Sequence, residues 1–138
     1  MAVTAAEGAN TQVIECPVLR AQINRTLERT KLGLEGEIDL SAVPALRKAL
    51  DGCSEQGPAL VVVDLSKVGF CDCSGLRELS KAARTIRESG RTLRITGAKA
   101  STRRLFELAG SLELLAAADS PRQAARSAPA PSLPADGV

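Results

Sequence analysis

Histidine, tryptophan and tyrosine are absent from this 138-residue chain, and phenylalanine occurs only twice. Each absence narrows the field. Without histidine, and with four cysteines in no repeating framework, the chain lacks the ligand sets that build most zinc sites, so no metal and no cofactor are expected. Two phenylalanines supply no row of platforms on which single-stranded nucleic acid would stack. The 18 basic and 16 acidic residues leave a formal charge of +2. They are spread along the sequence, unlike the one-sided basic field of a nucleic-acid binder, and nucleic acid is set aside as a direct partner. No apolar run approaches the roughly 20 residues of a membrane-spanning helix. The opening MAVTAAEGANTQ has neither the charged start nor the apolar stretch of a secretion signal. No membrane insertion is expected, and a cytoplasmic location with reduced thiols follows.

What is present suits one compact domain. Hydrophobic residues make up 44% and charged residues 25% of the chain, enough for a core but not for two domains. Composition divides the chain into a flexible N-terminal tail at 1–15, a folded domain at 16–116 and an Ala/Pro/Ser-rich tail at 117–138. That last stretch offers too little apolar surface to offset the entropy of ordering it.

Between the tails, strand and helix patterns alternate. A first strand pair is expected near residues 18–23 and 27–34. A helix comes next, started by Ser41, tolerating Pro44 in its first turn, burying Val43, Leu46, Ala49 and Leu50, and ending at Gly52. The run ALVVV at 59–63 reads as a central strand buried on both faces. A second helix is expected over 74–89, with Leu76, Leu79, Ala83 and Ile86 inward and Arg77, Lys81, Arg84, Arg87 and Glu88 outward, stopping at Gly90. A strand at 92–95 precedes a helix capped by Ser101 that carries Leu105, Phe106 and Leu108. Residues 112–115 close with a short strand. The order implies an α/β (α+β) fold with loops gathered at one end of a partly parallel sheet, where function is expected.

Four segments in this order, GEID at 36–39, DLSKVGFCDCSGLREL at 64–79, GRTL at 90–93 and STRRLFELAG at 101–110, resemble the STAS domain of anti-sigma factor antagonists. The resemblance implies a mixed sheet of four to five strands with helices mainly on one face. It also implies partner switching: the antagonist binds an anti-sigma factor of serine-kinase type and releases a sigma factor, and phosphorylation of a Ser or Thr on the antagonist breaks the complex. The alternative is a STAS accessory subunit of a membrane lipid or solute transporter, or another STAS signalling scaffold. No enzymatic role is expected, because the carboxylates of Asp39 and Asp72 have no accompanying nucleophile, base or metal.

In the family pattern the residue after the Asp of the central loop is the hydroxyl phosphoacceptor. Here that position is Cys73, while Asp72, Ser74, Gly75 and Leu76 match. A helix N-terminus hosts a phosphate readily, because its free N–H groups and partial positive charge face the anion. Cys73 has three readings: a near-isosteric replacement that leaves the protein permanently able to bind, a redox-sensing thiol, or half of a disulfide with Cys71. The third is disfavoured, because extended residues two apart lie about 6.6 Å from each other. Ser74 is either a helix cap or a substitute acceptor. Asp39 and Asp72 are either caps or, as the resemblance implies for Asp39, interface groups. Leu76 reads as core or as an exposed anchor. The partner-binding set is Asp39, Asp72, Cys73, Ser74, Gly75, Leu76 and Arg77. The basic run at 99–104 reads as a solvated helix start.

Overall fold

The computed structural model describes residues 2–5, 11–55 and 57–115, the first four as backbone only. Six strands, β1 (Ala2–Ala5), β2 (Thr11–Glu15), β3 (Leu19–Arg25), β4 (Arg29–Ile38), β5 (Leu60–Cys71) and β6 (Thr92–Thr96), lie in that order across one sheet. The pairs from β1 to β4 are antiparallel, and β4–β5 and β5–β6 are parallel. Helix α1 (Val43–Ser54) connects β4 to β5, α2 (Cys73–Glu88) connects β5 to β6, and α3 (Ala100–Leu108) comes after β6.

Period-two alternation decides which face is covered. Ala21 and Ile23 of β3, Leu32 and Leu34 of β4, Val61, Val63 and Leu65 of β5, and Leu93 and Ile95 of β6 join Leu46 and Leu50 of α1, Leu79 and Ile86 of α2 and Phe106 of α3 in one core. Each large side chain removed from water there contributes about 1.5–3 kcal/mol. The opposite face carries Arg20, Gln22, Asn24, Lys31, Glu35 and Asp64 and stays open. β5 is therefore buried on one face only, contrary to the expectation for 59–63, and Val62 is half-buried.

Several boundaries differ from the sequence expectations, each for a physical reason. The supposed tail at 1–15 contains two strands, which raises the sheet from four or five strands to six. β2 turns Ile14 into the core and pairs with β3 from Thr11↔Asn24 to Glu15↔Arg20, so the edge of β3 is not left unsatisfied. The first expected pair shifts to β3 and β4, and Leu27, fully exposed, falls on their turn. Helix α1 does not stop at Gly52, because two guanidinium groups satisfy the carbonyls at its end. Arg25 donates to Gly52 at 2.6 Å, and Arg91 donates to Cys53 and to Ser54, the latter at 2.9 Å. Lys99, not Ser101, sits at the cap position of α3; Phe106 anchors that helix, and Leu108 faces solvent. Residues 112–114 form a short 3-10 turn, and only Leu115 bridges β6, at Ile95. The expected C-terminal tail at 117–138 lies outside the described residues.

Three buried polar side chains, Thr30, Glu78 and Thr102, were not anticipated, and two of them bear on stability. Glu78 on α2 is nearly buried and accepts two hydrogen bonds from Arg47 of α1, at 3.1 and 2.8 Å, joining the helices. Thr30 is fully buried, and its hydroxyl finds no hydrogen-bond partner among the described residues. A desolvated hydroxyl without a partner is destabilising, so Thr30→Val is expected to raise unfolding stability by about 1 kcal/mol. A urea titration checks this, and a lower midpoint for the variant counts against it.

Candidate functional site

Parallel pairing of β4 with β5 places their C-terminal ends side by side, with Ile38 opposite Cys71. The next residue on each strand is an aspartate, and each aspartate caps the helical turn after it. Asp39 Oδ1 accepts from the Ser41 amide at 2.9 Å, the Ala42 amide at 3.2 Å and the Ser41 hydroxyl at 2.6 Å. Asp72 Oδ1 accepts from the Ser74 amide at 2.9 Å, the Gly75 amide at 3.2 Å and the Ser74 hydroxyl at 2.5 Å. The two loops are thus copies of one Asp-x-Ser device, and the Asp72 amide donates to the Ile38 carbonyl at 3.0 Å to tie them together. Caps of this kind are worth about 1 kcal/mol each. The caps are the aspartates, so Ser41 and Ser74 are not cap residues but the second residues drawn onto them.

Two glycines make this geometry possible. Gly36 adopts φ +118°, and a Cβ there would collide with the Val18 carbonyl oxygen, which the Glu37 amide binds at 2.9 Å. The register of β4 against β5 shifts at this point, so Gly36 forms an irregularity that re-aims Ile38 and Asp39 toward the edge. Gly75 lets α2 approach β4; a Cβ there would run into Ile38 Cγ2 and meet Cys71 Sγ at 3.0 Å. Gly75→Ala is expected to cost about 1–3 kcal/mol through overpacking, read from the denaturant midpoint.

The expected partner-binding residues separate into two groups. Cys73 is exposed at the first position of α2, Arg77 is exposed one turn on, and Asp39, Asp72 and Ser74 are half-buried. Gly75 and Leu76, the latter 5% exposed, belong to the packing beneath the helix, so the open choice for Leu76 resolves to core. Two residues that sequence reasoning missed complete the edge. Leu40 is 73% exposed and directly follows Asp39; Phe70 is 50% exposed, precedes Cys71-Asp72 and lies opposite Glu37. The repeated pattern of Asp39-Leu40-Ser41 and Asp72-Cys73-Ser74 was the available signal, since it makes Leu40 the counterpart of Cys73.

Hydrogen bonding keeps Asp72 anionic. The Ser74 hydroxyl, helped by the Gly75 and Ser74 amides, holds the Asp72 carboxyl below the usual carboxylate range, and Arg47 does the same for Glu78. A depressed folded-state pKa contributes stability that is complete above the ordinary carboxylate value of about 4 and is lost as pH falls through the folded value. Asp72→Asn, which can still cap, is expected to flatten the fall in urea midpoint between about pH 5 and pH 3; an unchanged profile would remove Asp72 from the acid response. Burial, with Asp72 next to it, pushes the Cys71 thiol up to about 12, so it is protonated at neutral pH. Cys71 points inward and Cys73 outward, and all four cysteines are free thiols. Among the described residues no three His, Cys, Asp or Glu side chains come together as a metal site, and no helix is long and apolar enough to cross a membrane.

Comparison with known proteins decides the family. A family model described as "Mlab, STAS domain" matches residues 21–116. The chain belongs to the STAS domain family. Among individual relatives, the anti-sigma-B factor antagonist of Staphylococcus aureus (strain NCTC 8325 / PS 47) is 29% identical over 80 residues, covering 58% of this chain and 74% of the relative. The STAS fold is shared with an anti-sigma factor antagonist from Mycobacterium paratuberculosis, with a TM-score of 0.65 at 23% identity, over 74% of this chain and 87% of the other. It is also shared with the anti-sigma factor antagonist SpoIIAA in its unphosphorylated form, with a TM-score of 0.62 at 20% identity, over 78% of this chain and 96% of that one. The STAS match starts within β3, so β1 and β2 lie before the matched region.

Proposed function

We propose that this STAS domain is an anti-sigma factor antagonist that docks on an anti-sigma factor of kinase type through the edge formed by Asp39, Leu40, Phe70, Asp72, Cys73 and Ser74, and that it performs no chemistry of its own. The observation that carries the reading is the pair of aspartate-capped loops held side by side by the β4–β5 register, with exposed apolar side chains beside them. A rigid edge with apolar anchors ringed by polar groups suits protein recognition. Its relatives in Staphylococcus and its structural neighbours bear the name of this activity.

In this reading Cys73 occupies the position of the family's phosphoacceptor, and its thiol leaves the antagonist in the binding-competent form. The Ser74 hydroxyl is committed to Asp72 at 2.5 Å, and a phosphate there would face that carboxylate at close range, so Ser74 is no ready substitute.

The test is a binding measurement against the purified kinase-type anti-sigma factors of the source cell. Wild type is expected to form a stable complex with one of them. Asp39→Asn, which keeps the cap but removes the charge, is expected to weaken it about tenfold, and Cys73→Asp to weaken it further, because negative charge buried at an interface is costly. Binding untouched by both changes would sink the surface assignment. Absence of a complex with every such factor would remove the functional reading itself.

A further inference from the structure

The near-neutral charge of the whole chain conceals a local excess. Between residues 77 and 104 there are nine Lys or Arg and only two Asp or Glu. One of the two acids, Glu78, is buried against Arg47 and Lys81. On the exposed face of α2 this leaves Arg77, Lys81, Arg84 and Arg87, with Glu88 as the single exposed acid. These cations succeed one another at intervals of four and three residues, so they form a stripe of about 15 Å along the helix at 1.5 Å per residue. The guanidinium groups of Arg77, Arg84 and Arg87 make no hydrogen bond or ion pair with any described residue.

Helix stability accounts for only part of the stripe: Arg87 lies in the last turn, where a cation is favoured, and Lys81 pairs with Glu78 at 3.7 Å. Like charges three and four residues apart destabilise a helix, and Arg77 stands near the positive end of α2, whose first turn holds no acidic residue. Helical surfaces built for solubility intersperse the two signs. The stripe also begins one turn after Cys73, which makes it continuous with the Asp-capped edge.

We infer that the cationic face of α2, from Arg77 to Arg87, is a docking surface for an acidic patch on the protein partner, and that it steers and orients the complex whose centre is the Cys73 edge. The inference rests on the proposed partner-binding reading of that edge. A protein is the favoured polyanion for three reasons. The stripe has no aromatic side chain on which bases would stack. Leu76, Leu79, Ala82, Ala83 and Ile86 of α2 are all turned into the core, so the stripe presents no aliphatic side chain to insert into a lipid surface. The carboxylates of Asp39 and Asp72 at its head would repel a phosphate backbone, whereas the neighbouring Leu40 and Phe70 suit a protein surface.

Two experiments on the full chain test this independently. In the first, amide chemical shifts of ¹⁵N-labelled protein are followed on adding poly-L-glutamate at low salt. Shifts concentrated at residues 77–87 support the inference; shifts centred instead on the open sheet face or on α3, or no shifts, overturn it. A 20-base-pair DNA duplex and phosphatidylserine vesicles are added in parallel, and tighter binding of either at residues 77–87 would replace the acidic protein by that polyanion. In the second, association with the anti-sigma factor that binds wild type is measured for Arg77→Glu/Arg84→Glu. The association rate is expected to fall about tenfold, and its dependence on salt to flatten, while Lys48→Glu on α1 has little effect. Thermal stability of the double variant should equal or exceed wild type, because the substitutions relieve repulsion, so unfolding cannot mimic the loss. Unchanged association and salt dependence would overturn the inference while leaving the Cys73 edge standing. A wild type that binds no anti-sigma factor would instead remove the functional reading and leave the first experiment to judge the stripe.

Discussion

Cys73→Ser is expected to convert a protein that ignores an anti-sigma kinase into one that is switched off by it. Incubated with its kinase-type anti-sigma factor and ATP, wild type should stay unphosphorylated and its complex should persist. The variant should gain one phosphate on the new hydroxyl and then lose affinity by a hundredfold or more, since about two negative charges would be driven against the partner surface. Folding should not intervene, because position 73 is exposed at the first turn of α2 and its side chain carries no core packing. Intact-mass analysis and titration before and after ATP treatment measure both effects. Stoichiometric phosphate on wild type, mapped to Ser74, would show that the acceptor has moved by one residue despite its bond to Asp72. A thiol switch forecasts a different pattern: mild oxidant would alter binding of wild type and spare the variant.

The largest structural effect is expected at Gly36. Its φ of +118° lies where an L-residue is strained, and a Cβ would also strike the Val18 carbonyl, which is backbone and cannot swing away. Gly36→Ala therefore combines a strained backbone with a clash, and a loss of about 3 kcal/mol or more is expected. Partner affinity should fall as well, because the irregularity at Gly36 sets the course of β4 into Asp39. Gly69 is the internal control. It lies on the exposed outer part of β5 with nothing near its missing Cβ, so Gly69→Ala should be tolerated at well under 1 kcal/mol. Equal midpoints for the two variants would show that the Val18 contact is dispensable.

Much of this molecule was legible in its residues because the signals were local. The inward set of α2 follows from 3.6-residue periodicity, and the burial of Leu79, Ala83 and Ile86 needs no knowledge of what lies opposite. The family resemblance carried by the GEID segment and the Asp72 loop pointed to this edge before its geometry was known. The readings that shifted were those in which a distant group decides a local end. Gly52 is a plausible stop for α1 until Arg25 and Arg91 arrive from β3 and from the turn before β6 to bind the last carbonyls. Residues 11–15 look like a tail until β3 offers them an edge.

The candidate site shows the same division. The family resemblance implied that Cys73 stands where a hydroxyl is expected; the residues themselves determined that an Asp would precede a helix at two places and that α2 would carry cations outward. Each of the latter is a property of a few neighbouring residues, read through spacing and side-chain chemistry. Only the tertiary structure decided that the two aspartates lie side by side, because that depends on β4 and β5 pairing in parallel with Ile38 opposite Cys71, 33 residues apart. It alone separated Leu76, which is core, from Leu40 and Phe70, which are surface. Hydropathy is the same for a leucine on either side of that boundary, and what distinguishes them is which faces of helix and sheet meet.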